Sequence, residues 1–235
     1  MSWQALEIQV ELSSQALDDK VVQIRQECPQ QVTLHCRQGC SGCCNLAVVC
    51  TFAEAAVLAR RLTSHQQQRV IAVMAELEAL CRQADNLKTF LRLHRDRDDP
   101  CLLLDDGGSC SLYGYRPLAC RALLSTRPAD WCAVDFATLH PLEKQAFLSS
   151  LDPALVSFPS HYLAAPQDEG AALQAAIGDT MIQHYGFSLT GNLQWLLGLE
   201  LKYELSRALA TDSCQIKEWL SDQQQRYPYL LEVGT

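Results

Sequence analysis

Long hydrophobic runs are missing from this sequence. Runs such as residues 46–50 fall far short of the ~20 apolar residues that cross a bilayer, so no membrane span is expected. Positive charge is scarce as well: 19 Lys and Arg against 27 Asp and Glu leave a net charge of −8. A chain this acidic does not draw nucleic acid through its overall field, and no nucleic-acid partner is expected. The first dozen residues hold Glu7 and Glu11, no basic residue and no apolar stretch, which is not the pattern of an export signal. A cytoplasmic, reducing location is the expectation. Nor is there a Gly-rich phosphate loop, a nucleophile elbow or an H-E-x-x-H run. The six histidines are scattered. His161 and His184 read as core or surface residues. His35 adjoins Cys36, but thiols already suffice as ligands there.

Cysteine, by contrast, is abundant, with twelve in 235 residues. In a reducing compartment, clustered thiols serve as metal ligands or redox groups more often than as disulfides. Four fall within nine residues, in Cys36-Arg-Gln-Gly-Cys40-Ser-Gly-Cys43-Cys44. Spacings of this kind let a compact loop turn several thiolates toward one centre. Gly39 and Gly42 supply the backbone freedom such a loop needs. Neighbouring thiolates repel, so the run is more comfortable around a cation or cluster that neutralises it. A second set, Cys101, Cys110, Cys120 and Cys132, is spaced roughly ten residues apart. Cys28, Cys50, Cys81 and Cys214 are scattered and read as non-ligands, Cys81 as a small hydrophobe on an apolar helix face.

Most of the chain has helical periodicity. Leu6, Val10, Leu17, Val21 and Ile24 place a helix over residues 4–27, stopped by Pro29. Thr51-Phe-Ala-Glu54 has the form of a capping box and Ser64-His-Gln-Gln67 repeats the signal. Val70, Val73, Met74, Leu77, Leu80 and Cys81 carry the second of these helices to about residue 84. The run Arg95-Asp-Arg-Asp-Asp99 reads as a solvated turn. Two short apolar segments flank Asp105-Asp-Gly-Gly108 and predict a β-hairpin, with Cys101 and Cys110 near its base. Pro117 then opens a short helix holding Cys120. Further helices are expected near 141–151, 169–185 (closed by Gly186), 189–209 and 214–226, with Pro153, Pro159 and Pro166 marking a loop. Trp195, Leu196, Leu197, Leu199 and Leu201 read as core, with a partner-facing helix as the alternative. The fold class is mainly α: one helical domain over residues 1–235, with a cysteine-rich centre at 34–132 containing one short hairpin. Residues 167–235 form a C-terminal helical lobe in the alternative reading.

The run Cys36-x₃-Cys40-x₂-Cys43-Cys44, the hairpin Asp-Gly-Gly-Ser-Cys-Ser-Leu-Tyr113 and the segment Tyr115-Arg-Pro-Leu-Ala-Cys-Arg121 resemble the zinc- or iron-chelating CxxCxxCC family (YkgJ-like proteins). The likeness covers roughly residues 34–132. It implies eight metal-site cysteines: Cys36, Cys40, Cys43, Cys44, Cys101, Cys110, Cys120 and Cys132. It implies a metal without implying a reaction. The flagellin lysine-N-methylases carry a similar cluster on a much longer chain. Arg116, Arg121 and Tyr113 lie among these motifs. Arginines there either offset thiolate charge and hydrogen-bond sulfur or an anionic cofactor, or form a structural ion pair between hairpin and helix.

Thiolate-only ligation suits iron–sulfur clusters, Zn²⁺ and Cu(I). Structural zinc sites often use two separated C-x₂-C knuckles, which this chain lacks. One tight run plus distal cysteines is closer to an iron–sulfur arrangement, and eight ligands allow two sites. Three functions follow: an iron–sulfur protein engaged in redox or cluster-dependent modification chemistry, a zinc-stabilised protein interaction module, or a cluster-dependent methylase-like enzyme. Each takes a protein or small-molecule partner that the sequence does not name. In every case the two cysteine sets are expected to share one centre or lie as close neighbours.

Overall fold

Leu6, Val10, Leu17 and Ile24 repeat at intervals of four or seven residues. Together with Trp3 and Ser13 they form the buried stripe of helix α1 (Trp3–Glu27). The computed structural model describes residues 3–27, 32–97 and 101–235. Cys28 and Pro29 therefore lie outside the described residues, as do Asp98, Asp99 and Pro100. Among the described residues, 60% are helical, in eleven α-helices beside one small antiparallel sheet, so the protein is mainly α. No described helix is long and apolar enough to cross a membrane.

Strand β1 (Val49–Thr51) runs directly into α2 (Phe52–Ala59). The Thr51–Glu54 capping box forms as the sequence predicts. Helix α3 (Ser64–Gln83) is capped one residue earlier than expected, by Thr63 with Gln66. Next come α4 (Leu87–Arg95), α5 (Leu118–Ala122), α6 (Ala129–Ala133) and α7 (Pro141–Ser149). Helix α8 (Ala164–Tyr185) begins earlier than the sequence suggests and takes Pro166 into its first turn, where a missing N–H costs nothing. It ends on Gly186 at φ 78°.

The single helix expected over residues 189–209 is three elements: strand β2 (Ser188–Asn192), α9 (Leu193–Tyr203) and α10 (Leu205–Leu209). Asn192 caps α9 by accepting from the Gln194 and Trp195 N–H groups. Glu204 at φ 46° breaks the helix before α10. After α11 (Ser213–Arg226), capped by Asp212, strand β3 (Leu231–Gly234) completes a sheet of order β1-β2-β3. Both pairings are antiparallel, with Cys50 opposite Gly191 and Thr190 opposite Glu232.

That sheet ties the end of the first cysteine run to the C-terminal segment. A single buried cluster contains Leu6, Phe52, Leu77, Phe90, Leu118, Trp195, Leu196, Leu197, Leu199 and Leu230. The expected hairpin reduces to one antiparallel bridge, Leu104 with Cys110, flanked by hydrogen bonds from Asp105 N to Ser109 O and from Ser111 N to Leu103 O, each 2.8 Å. The Asp105 carboxylate closes the turn by accepting from the Gly107 and Ser109 N–H groups. In the described part of the charged run Asp96 is an exposed turn residue, but both arginines are engaged within the protein. The Arg97 side chain is 2% exposed, forks onto Glu76 and donates to Gln194. Arg95 donates to the carbonyls of Cys132 and Val134.

Candidate metal centre

The first cysteine run folds as consecutive tight turns: Cys40 N–H to Arg37 O, Cys44 N–H to Ser41 O and Leu46 N–H to Cys43 O, at 2.9–3.1 Å. Gly39 takes φ 84°. Gly42 lies so close to α6 that an added Cβ would sit 2.6 Å from Ala129 O and 3.2 Å from Cys132 Cβ. The run is thereby seated against the helix that carries Cys132. The second set is brought in by the Asp105 turn and by α5. Glu54 fixes α5: its Oε1 accepts from Leu118 N–H at 2.8 Å, while Oε2 accepts from Thr51 N, Thr51 Oγ1 and Gln174 Nε2.

Six of the eight expected cysteines line one cavity of about 80 Å³: Cys40, Cys43, Cys44, Cys101, Cys110 and Cys120. Tyr113 and Arg116 share its wall. The Arg116 guanidinium lies 3.5 Å over the Tyr113 ring and its Nε donates to Tyr113 O. Arg121 has other partners. It is buried, pairs with Asp18 of α1 and donates to the carbonyls of Arg116 and Gly114.

Cys36 and Cys132 lie outside that lining. Cys36 Sγ accepts from Ser125 N–H at 3.1 Å and lies 3.4 Å from Leu123 O. Cys132 Sγ is 3.4 Å from His161 Nε2 and also bonds the Tyr162 hydroxyl.

Burial pushes the thiols of Cys36, Cys110, Cys120 and Cys132 up. Cys43 and Cys40 raise both Cys36 and Cys132 further, and Cys132 also raises Cys36. Cys120 is further raised by Cys43, Cys101 and Cys110. Cys43 and Cys44 share a hydrogen bond that holds Cys43 down at about 7 against the effect of burial, with the Cys43 N–H and Arg116 helping. The same bond, then burial, pushes Cys44 up.

His94 is a cavity residue for which the sequence gives no signal. It is 2% exposed and lines the same wall. Because Asn192 Oδ1 caps α9, its Nδ2 faces His94 Nε2 at 3.4 Å, which makes Nε2 the acceptor and leaves the proton on Nδ1. Burial and then Arg97 hold His94 down at about 4, so the ring is neutral near pH 7.

Among the described residues, no three His, Cys, Asp or Glu side chains already converge so as to hold a single ion. The donor chemistry nonetheless fits a thiophilic metal: six cysteines line one cavity, with a cation, Arg116, beside them. A mainly helical fold with this many thiols on one cavity defines a cysteine-cluster protein. Residues 35–139 match the family model described as "CxxCxxCC: Putative zinc- or iron-chelating domain", the family that the motifs resemble, and the match supports metal binding by this region. No curated protein and no solved structure matches the chain.

Proposed function

We propose that this chain is a cytoplasmic iron–sulfur protein whose cavity thiols hold the cluster for redox or cluster-dependent modification chemistry. The observation that supports this reading is the size of the space the thiols enclose. A single water needs roughly 10–15 Å³ of such volume, so about 80 Å³ behind six thiols has room for several atoms rather than one ion. Bound there, a cluster would supply one-electron chemistry. The residues around it shape that chemistry. Arg116, stacked on Tyr113, offsets thiolate charge. His94 stays neutral and adds none. Leu103, Leu123 and Leu193 close the apolar part of the wall and limit water.

The test is anaerobic purification of the full chain with assay of iron, acid-labile sulfide and zinc. The expected result is a brown protein containing iron and sulfide, with sulfur-to-iron charge-transfer absorbance. A colourless protein with stoichiometric zinc overturns this reading and makes the chain a zinc-stabilised interaction module, in which the metal contributes folding free energy.

A further inference from the structure

A four-thiolate centre accounts for only half of the eight cysteines, and two of the eight lie outside the cavity that the other six line. Cys44, Cys101, Cys110 and Cys120 line the cavity, and so do Cys40 and Cys43. Cys36 and Cys132 lie outside its lining, where both meet Ser125, through its N–H and its side chain respectively. The tight turns bearing Cys40 and Cys43 border both groups: they line the cavity on one side, and Gly42, next to Cys43, lies directly against Cys132 Cβ on the other.

We infer that the chain holds two metal centres, one on Cys44, Cys101, Cys110 and Cys120, the other on Cys36, Cys40, Cys43 and Cys132. This rests on the metal-binding reading above and adds its stoichiometry. Two sulfurs of the second set have polar neighbours. Cys36 Sγ receives the Ser125 N–H, and Cys132 has His161 Nε2 at 3.4 Å and the Tyr162 hydroxyl. Donors aimed at sulfur stabilise the charge of a metal-bound thiolate and orient it. A cysteine that merely fills a core has no use for several of them. Both centres take a thiophilic metal, each ligand giving up its thiol proton as the metal–sulfur bond forms.

The test compares metal per chain, by elemental analysis, in the anaerobically purified full-length protein and in two double variants, Cys36→Ser/Cys132→Ser and Cys101→Ser/Cys110→Ser. Each double variant should keep about half of the wild-type metal. Unchanged metal in the first variant, or complete loss from either one with an unaltered far-UV circular dichroism spectrum, overturns the inference. Cobalt titration of the metal-free wild-type chain reads the same point without substitution. Thiolate-to-cobalt absorbance rising to two equivalents supports two centres, and saturation at one overturns them. Two zinc ions per wild-type chain would keep this inference while ending the iron–sulfur reading. A single iron–sulfur cluster lost whole from either variant would do the reverse.

Discussion

Glu54 and Leu118 are joined by a hydrogen bond of 2.8 Å from the Leu118 N–H to Glu54 Oε1, across 64 positions of sequence. Leu118 begins the short helix that carries Cys120, and Glu54 belongs to the helix that follows the first cysteine run. Glu54 is 5% exposed, and its other oxygen takes three further donors. A helix of five residues has little stability of its own, so its position depends on this anchor. Glu54→Gln turns one of those acceptors into a donor facing donors. A loss of about 2 kcal/mol in urea unfolding, together with reduced bound metal, is expected. Unchanged stability and metal content would show that α5 is held in some other way.

His94 makes stability depend on acid. Its folded-state pKa, about 4, lies below the 6.5 of an unfolded histidine because burial and then Arg97 disfavour its charge, against the opposing effect of the Asn45 backbone and Glu76. Between those values the unfolded chain binds the proton and the folded one does not. Stability is therefore full above about pH 6.5 and falls as pH drops toward 4, by about 3 kcal/mol for this group. His161 is shifted in the same direction, so His94→Gln should remove only one part of the acid sensitivity. Unfolding free energies measured from pH 7 to 4.5 in wild type and variant check it, and parallel curves would refute the assignment.

Cys81 and Cys214 should be dispensable for metal. Cys81 is 5% exposed in the apolar core, and Cys214 is exposed at the start of α11. Neither lines the cysteine cavity. Cys81→Ala should cost about 1 kcal/mol through lost packing and Cys214→Ser close to nothing. Both should retain the wild-type metal content on elemental analysis, and loss of metal from either folded variant would disprove this.

What the sequence revealed depended on how local the cause was. Capping boxes, the Gly186 stop and the periodic faces of α1 and α3 depend on neighbours a few residues apart, and they formed near the expected positions. The sheet escaped notice because β1 has three residues and β2 reads Ser-Leu-Thr-Gly-Asn, too short and too polar to show strand alternation. Arg97 looked solvated within its charged run, yet its partners Glu76 and Gln194 come from α3 and α9. The proximity of Cys40, Cys43 and Cys44 to Cys101, Cys110 and Cys120 was legible from the turn and the Pro117 helix. His94 was not, because its partner Asn192 and the cysteines that share its cavity come from distant parts of the chain.

Gly42 offers the sharpest test of how the two cysteine sets are joined. An alanine methyl there would stand 2.6 Å from the Ala129 carbonyl and 3.2 Å from Cys132 Cβ. A backbone carbonyl is not free to swing aside, especially where α6 is held by Arg95 through the carbonyls of Cys132 and Val134. The first cysteine run must therefore lift away from α6, which should cost about 1–3 kcal/mol as overpacking does. Cys132 would then separate from Cys43, and bound metal should fall. Gly114→Ala is the matched control, because nothing lies within 4 Å of its added Cβ. It should stay within about 0.5 kcal/mol of wild type and keep its metal. Equal behaviour of the two variants in denaturant titration and elemental analysis would mean that contact between the run and α6 does not govern the metal centre.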